Sequence, residues 1–378
     1  MAGIYIHIPF CSSRCIYCDF YSTTLGLDMR SAYVDALCAE LVARKTELTG
    51  QSVQTLYFGG GTPSLLTLPQ LEQILTTLHE QFDILPSAEM TLESNPDDVT
   101  TDLAAGWRNL GFNRVSLGLQ TFQDNILRLL RRRHNSATAR EAVRTLRDVG
   151  FENLTLDLIY GLPGQTFELW MQDVQQLLEL PVQHLSAYAL SYEPGTVLTK
   201  MRDRKEIAEA DEETIRKMYL YLIEASKKGG FEHYEISNFA RPGYESKHNS
   251  SYWAGVPYLG AGPGAHSYDG RNVRRANLPD LKQYLSQKGN APHSLEELDQ
   301  VQLFEEYLLT GLRTAKGISM EYIQTNFGLR VYHRVEKLAK VHLQKGNLRQ
   351  IGDCLCLTLD GILISDYIIS DLMMAGDE

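Results

Sequence analysis

Three cysteines lie close together near the amino terminus, in the run HIPFCSSRCIYC. Cys11, Cys15 and Cys18 follow a predicted strand directly, so their thiolates can converge on one soft metal centre. A structural zinc site has four protein ligands and an iron–sulfur cluster usually takes four cysteines, so three cysteines leave one coordination position open. Two other interpretations remain: a zinc site completed by His7 or Asp19, and three unrelated thiols of the core.

Further polar or glycine residues stand at the ends of later predicted strands. The first of these strands is followed by the run GGGTP, in which glycines let the backbone approach a ligand closely. Carboxylates and amides at strand ends suit ribose hydroxyls and charged ligands. Caps of strand ends and surface salt bridges are the alternative interpretation. The candidates are Gly60, Gly61 and Thr62, then Glu93, Gln120 and Asp157.

A second distinctive tract, HNSSYW, begins at His248 and is followed by a glycine-rich run that ends at His266. Imidazole is an axial ligand for haem iron, and aromatic rings can cover the face of a porphyrin. The alternative is a packed loop with a hydrogen-bonded histidine.

Short apolar runs alternate with amphipathic stretches in the first half of the chain, and these elements must position the candidates. The predicted strands are Gly3 to Ile8, Val53 to Phe58, Ala88 to Glu93, Arg114 to Leu119, Leu154 to Ile159 and His184 to Leu190. The predicted helices between them include Arg30 to Glu47, Leu68 to Phe82 and Phe167 to Leu178. Repeated βα units imply a parallel sheet, with function at the carboxyl ends of its strands. We therefore predict an α/β fold with a partial (β/α)6-type TIM barrel, since six units fall short of eight.

The second half of the chain follows a different pattern. Its predicted elements are helices from Glu206 to Lys228, Leu295 to Leu312 and Val331 to Gln344, and a hairpin from Cys354 to Ser365 that turns at Asp360-Gly361. Helices followed by a hairpin suggest a mostly helical, winged-helix-like module that packs against the core. The predicted division is a barrel at 1–230, an aromatic, glycine-rich connecting segment at 231–292, and the carboxy-terminal domain at 293–378.

The composition limits location and partners. The chain has 378 residues, and 36 basic against 47 acidic side chains give a net charge of −11. Because a basic field is missing, nucleic acid is not expected as a partner. No run approaches the roughly 18 apolar residues of a transmembrane helix, and no signal peptide is evident. Six cysteines are too few for a disulfide framework, so we expect a cytoplasmic protein.

The CxxxCxxC spacing is that of the radical S-adenosylmethionine (SAM) enzymes, and Tyr5, His7, Pro9 and Phe10 before it resemble the coproporphyrinogen-oxidase-like branch of that superfamily. The resemblance implies that the three cysteines hold a 4Fe-4S cluster whose fourth iron is chelated by the amino and carboxylate groups of SAM. It implies that the glycine run binds the methionyl amino group. The remaining SAM ligands that it implies are Tyr5, Glu93, Gln120, Arg132 and Asp157. For Arg132, a solvated basic helix end is the alternative interpretation.

The tract HNSSYW resembles the HNxxYW motif of haem chaperones in the same branch, which makes His248 the candidate haem ligand. The resemblance implies a protein that binds haem and passes it to acceptor proteins, with a homodimer left open. The rival function is oxidative decarboxylation of coproporphyrinogen III. The true oxidases carry a further cysteine two residues after the third, where this chain has Phe20, and an amino-terminal extension, whereas this chain begins four residues before Tyr5. Both departures favour the chaperone.

Overall fold

Six parallel strands form the centre of the fold. The structure is a computed structural model that describes residues 1–373. The strands are β1 (Ala2–Ile8), β2 (Val53–Gly60), β3 (Ile84–Ser94), β4 (Arg114–Gln120), β5 (Asn153–Tyr160) and β6 (His184–Ala189). They are hydrogen bonded in the order of the chain, each parallel to the next.

Helices between these strands cover the outside of the sheet. They are α1 (Arg30–Ala43), α2 (Leu68–Gln81), α3 (Thr101–Asn109), α4 (Asp124–Leu129), α5 (Ser136–Asp148) and α6 (Phe167–Leu178). Short 3-10 helices add single turns at Leu27–Met29, Lys45–Leu48, Pro63–Leu65 and Pro96–Asp98. Hydroxyl side chains begin the helices locally: Thr67 forms a capping box with Gln70 at α2, and Thr166 caps α6. Buried residues of these helices and of the strand face turned toward them share one core.

Shorter elements extend the sheet at both edges. They are α7 (Val197–Asp203), α8 (Glu212–Lys228), β7 (Glu232–Glu235), β8 (Asn238–Ala240), α9 (Lys247–Trp253), β9 (Tyr258–Ala261), β10 (His266–Tyr268), β11 (Val273–Asn277), α10 (Leu281–Ser286) and β12 (His293–Glu297). The described sheet runs β12-β11-β10-β9-β1-β2-β3-β4-β5-β6-β8-β7. The aromatic, glycine-rich segment therefore contributes strands beside β1 and beside β6.

The carboxy-terminal elements enclose a core of their own. They are α11 (Gln300–Leu312), β13 (Ile318–Ser319), α12 (Met320–Gln344), β14 (Leu348–Ile351), β15 (Cys354–Leu357), α13 (Leu359–Ile362) and α14 (Ser365–Leu372). The antiparallel order β13-β15-β14 forms a small sheet against the helices. Gly328, with φ 87°, interrupts the helical conformation inside α12. The boundaries at 230 and 292 stay predictions.

Several predicted elements of this half are wrong in position. The helices predicted from Glu206 and Val331 begin at Glu212 and Met320. The hairpin is β14 and β15, which turns at Gly352 and Asp353, while the predicted turn at Asp360-Gly361 lies in α13. Thr358 caps α13 and ends the strand, so the apolar residues after it continue as helices. The predicted helix from Leu295 begins only at Gln300, because Asp299 forms a capping box with Gln302.

The α/β fold, a partial barrel followed by a mostly helical carboxy-terminal region, is confirmed. None of the described helices is both long and apolar enough to cross a membrane.

Candidate functional site

The cysteine loop leaves the carboxyl end of β1 and turns back along it. Backbone hydrogen bonds hold the loop: the Cys11 amide donates to the Thr23 carbonyl (2.9 Å), and the Thr23 amide donates to Pro9 (2.7 Å). Phe10 is fully buried edge-on against Tyr33, with ring centroids 5.3 Å apart. This anchor fixes the start of the loop, while Cys15 and Cys18 remain half-buried.

The three thiols are neighbours, and their surroundings suit a metal cluster. Burial raises the pKa of Cys11, and it raises the pKa of Cys18 to about 11, with smaller contributions from the other thiols of the loop. The free thiols of Cys11 and Cys18 are therefore protonated at neutral pH, and a metal centre has to displace their protons. Yet no three His, Cys, Asp or Glu side chains in the described part of the chain stand close enough to hold one metal ion. Three thiols on one short loop are soft donors, which is the ligand type of an iron–sulfur cluster.

The glycine run brings the end of β2 against this loop. The Gly61 amide donates to the Ile8 carbonyl (2.7 Å), and a Cβ at Gly61 would lie 2.6 Å from the Phe10 carbonyl oxygen and 3.1 Å from Cys11 Sγ. Only glycine permits that approach. Gly60 has φ 105°, and its amide donates to Glu93 Oε2 (3.2 Å).

Two carboxylates stand at the ends of β3 and β5. Glu93 also accepts a hydrogen bond from the Tyr57 hydroxyl (2.7 Å), and Asp157 accepts one from Ser116 Oγ (3.1 Å). Burial raises the pKa of Glu93 to about 7 and that of Asp157 to about 6. Burial removes water from both carboxylates. A bound ligand with a cationic group or hydroxyl donors would favour their ionised form and lower these pKa values.

Arg132 lies inside the site and not at a solvated helix end. Its Nη1 donates to Cys15 Sγ (3.5 Å), and its Nη2 donates to Asn95 Oδ1 (2.6 Å) and to the Gly118 carbonyl. The Nε atom is buried with no hydrogen-bond partner among the described residues. The neighbouring Arg133 instead pairs with Asp97 and Asp98 near the surface. A buried guanidinium with an unused donor suits an anionic group such as a carboxylate.

Gln120 reaches the site through a strained backbone. Its φ is 74°, in the left-handed region that a non-glycine residue seldom adopts. The residues after it are held by the buried Asp173, which accepts hydrogen bonds from the Thr121 hydroxyl (2.6 Å) and the Phe122 amide (2.9 Å). This network keeps the Gln120 backbone in place.

One cavity of about 400 Å³ joins these groups. Ten of the twelve predicted site residues line it, namely Cys11, Cys15, Cys18, Gly60, Gly61, Thr62, Glu93, Gln120, Arg132 and Asp157. Tyr5 and His248 do not line it. Tyr5 is half-buried, and its hydroxyl is bonded to His7 Nδ1 (3.0 Å).

His248 is 1% exposed, and both ring nitrogens are hydrogen bonded to other side chains. In this conformation it presents no free nitrogen to haem iron, so haem ligation by His248 stays a prediction that would need the ring to leave its place. His266 is exposed on β10.

Residues that the sequence patterns did not single out also line the cavity. Tyr57 and Arg114 lie on strands, and Asn249 belongs to the HNSSYW tract. Tyr57 and Arg114 could have been found from the sequence, because each is a polar side chain in an otherwise apolar, buried strand.

Three features define the class of radical SAM proteins. They are a partial barrel, a three-cysteine loop after its first strand, and polar residues at the carboxyl ends of its strands. The radical SAM superfamily profile matches residues 5–177, and the HemN C-terminal domain profile matches residues 298–364. Membership of the superfamily implies a 4Fe-4S cluster and SAM as cofactors.

Similar proteins identify the family to which the chain belongs within this superfamily. The heme chaperone HemW of Lactococcus lactis is 38% identical over 324 residues, which cover 85% of this chain and 84% of the relative. HemW of Bacillus subtilis is 32% identical over 97% of this chain and 98% of its own. HemW of Mycobacterium tuberculosis is 35% identical over 98% of this chain and 94% of its own. The chain belongs to the HemW family.

Among solved structures, the coproporphyrinogen III oxidase HemN of Escherichia coli superposes with a TM-score of 0.85. It is 25% identical and matches over 99% of this chain and 90% of its own. The fold thus extends over both halves of the molecule, including the carboxy-terminal module.

Proposed function

We propose that this protein is a haem chaperone, which binds haem and transfers it to acceptor proteins, and that its barrel carries a 4Fe-4S cluster and SAM. The observation that carries the proposal is the identity of 32–38% to relatives named heme chaperones over most of both chains. We place the protein in the cytoplasm, because its clustered free cysteines suit a reducing compartment.

In this proposal, Cys11, Cys15 and Cys18 would hold the cluster, which would supply redox chemistry beside the SAM site. The glycine run offers its backbone groups, and Arg132 offers its unused Nε–H to the carboxylate of the ligand. Glu93 and Asp157 provide acceptors for the amino group and the ribose hydroxyls. The strand ends position these groups without a large rearrangement, since they already surround one cavity.

A second candidate function is oxidation of coproporphyrinogen III, which the structural likeness to HemN favours. Phe20 weighs against it. This side chain is 64% exposed at the wall of the cavity, in the position of the further cysteine of the resembled oxidases. An exposed phenyl ring offers an apolar surface but no thiol chemistry.

Anaerobic reconstitution followed by two parallel assays separates the candidates. One assay measures haem uptake by its Soret absorption and the subsequent transfer of haem to an apo haem protein; the other measures consumption of coproporphyrinogen III. We expect stable haem uptake and transfer without porphyrinogen turnover. Turnover at an enzymic rate, or wild-type protein that takes up no haem, would reverse the assignment.

A further inference from the structure

His248 packs against two tyrosine rings, Tyr5 of β1 and Tyr57 of β2. Its ring stacks on Tyr57, with centroids 5.0 Å apart and 23° between the planes, and on Tyr5 at 6.4 Å and 28°. The packing on this side leaves no spare room, because a Cβ at Gly3 would lie 3.3 Å from His248 Nδ1. The imidazole therefore packs closely on this side, with one face against the Tyr57 ring.

The hydrogen bonds of His248 lock the ring itself. Nδ1 lies 2.8 Å from Thr55 Oγ1 and Nε2 lies 2.7 Å from the Tyr252 hydroxyl. Burial lowers the pKa of His248 to about 3, so the imidazole is neutral, with one donor and one acceptor. Two hydroxyl partners satisfy both nitrogens.

The helix that carries His248 is held at both ends. The Lys247 and His248 amides donate to the Glu89 carboxylate (3.2 and 3.1 Å). At the other end, the Arg313 guanidinium of the carboxy-terminal module lies 5.0 Å from the centroid of the Trp253 ring. These contacts hold the helix in place at both of its ends.

Tyr57 connects His248 to the cavity, because it contacts both. Its ring lines the cavity, and its hydroxyl donates to Glu93 Oε1 (2.7 Å), the carboxylate at the end of the next strand. The space beside the pair is filled, because a Cβ at Gly59 would lie 2.9 Å from the Tyr57 ring and 3.0 Å from Glu93 Oε1. The orientation of Glu93 thus depends on the orientation of Tyr57.

We propose that His248 is a positioning residue of the SAM site, which holds Tyr57 by stacking and, through the Tyr57 hydroxyl, aims the Glu93 carboxylate into the cavity. The inference rests on the proposed function in one respect, that SAM binds in this cavity. It gives the HNSSYW tract a role in SAM binding that is separate from haem ligation.

The test uses full-length reconstituted protein and measures the affinity for SAM by anaerobic equilibrium dialysis. The variants are His248→Leu, Tyr57→Phe and the double variant. Each single change should weaken SAM binding about tenfold, which corresponds to roughly 1.4 kcal/mol. Because His248 acts through Tyr57, the double variant should be no weaker than Tyr57→Phe alone.

His342→Leu is the matched control. His342 is equally buried, and its Nε2 is hydrogen bonded to Asp371 (2.9 Å), but it lies in the carboxy-terminal module. This variant should lower thermal stability and leave SAM affinity unchanged. If it weakened SAM binding as much as His248→Leu does, general destabilisation would explain both results and the inference would be wrong.

Two further outcomes decide against the inference. One is wild-type SAM affinity in Tyr57→Phe, a change small enough to fold even where His248→Leu does not. The other is a folded His248→Leu that loses haem affinity and keeps SAM affinity, which would make His248 the haem ligand. Wild-type protein that binds SAM but no haem would instead overturn the proposed function and leave this inference standing.

Discussion

Two thiols of the cysteine loop accept hydrogen bonds from different side chains. Cys11 is buried and accepts a hydrogen bond from the Thr62 hydroxyl (3.6 Å), whereas Cys15 receives one from Arg132 (3.5 Å). Hydrogen bonds to cluster sulfurs change the reduction potential, so the three positions are not equivalent electronically. In the proposed cluster site they are equivalent in one respect, since each would supply one of three protein ligands.

Replacing Cys11, Cys15 or Cys18 by Ala should therefore abolish a stable 4Fe-4S centre. Iron and sulfide analysis after anaerobic reconstitution measures the effect. Cys356→Ala is the control, because Cys356 lies in the carboxy-terminal sheet with its thiol donating to the Lys316 carbonyl (3.3 Å). A Cys356→Ala protein without cluster, beside a Cys15→Ala protein with one, would show that the metal site is elsewhere.

At the scale of elements, a buried carboxylate joins α1 to the strands and helix that follow the HNSSYW tract. Glu40 is fully buried and accepts hydrogen bonds from Arg44 (2.7 Å), Asn277 (2.7 Å), the Gly262 amide (2.9 Å) and the Tyr284 hydroxyl (2.7 Å). Four donors satisfy the carboxylate. The network thus ties the first βα unit to elements more than 200 residues later.

Glu40→Ala should lower the free energy of unfolding by about 3 kcal/mol, because it leaves three buried donors, on Asn277, Gly262 and Tyr284, without this acceptor. Urea denaturation measures the change. Glu141→Ala is the control: Glu141 and Arg144 form an exposed pair on α5, and its loss should cost less than about 1 kcal/mol. Equal effects of the two changes would mean that the buried network contributes little to stability.

At the scale of the whole molecule, the size of the cavity bears on which of the two proposed ligands, SAM or haem, binds inside the barrel. Its volume of about 400 Å³ lies near the lower end of the roughly 300–1,000 Å³ found for ligand pockets. SAM bound in this cavity, as proposed, would leave little of that volume for haem, which is a larger planar macrocycle. Haem is therefore expected to bind outside the barrel.

Saturating SAM should accordingly change the dissociation constant of haem by less than about twofold, because ligands at separate, uncoupled sites bind independently. Soret titrations of the reconstituted protein with and without SAM measure it. An apparent haem dissociation constant that rises in proportion to the SAM concentration would indicate competition for the cavity, and the separate haem site would be wrong.

Local patterns in the amino-acid sequence were enough to predict the six-stranded barrel and most of its candidate site. Apolar runs of strand length and amphipathic stretches are short-range signals, and parallel βα units bring every strand end to one edge. Cys11, Glu93 and Asp157 could therefore be expected together from the order of the strands alone, and they line one cavity. The sequence also contains local capping signals, although the hairpin predicted to turn at Asp360 in fact turns at Gly352 and Asp353.

The contacts that hold that site in place follow from the tertiary structure alone. The hydrogen bond from Arg132 to Cys15 joins residues 117 positions apart in the chain, and the one from Gly262 to Glu40 joins residues 222 positions apart. No local period encodes such contacts, and the same is true of the stack of His248 on Tyr57. An imidazole suits a metal site and a packed, hydrogen-bonded position equally. Burial and the two hydroxyl partners of His248 distinguish them, because a ring nitrogen that is already hydrogen bonded has no lone pair or proton free for another group.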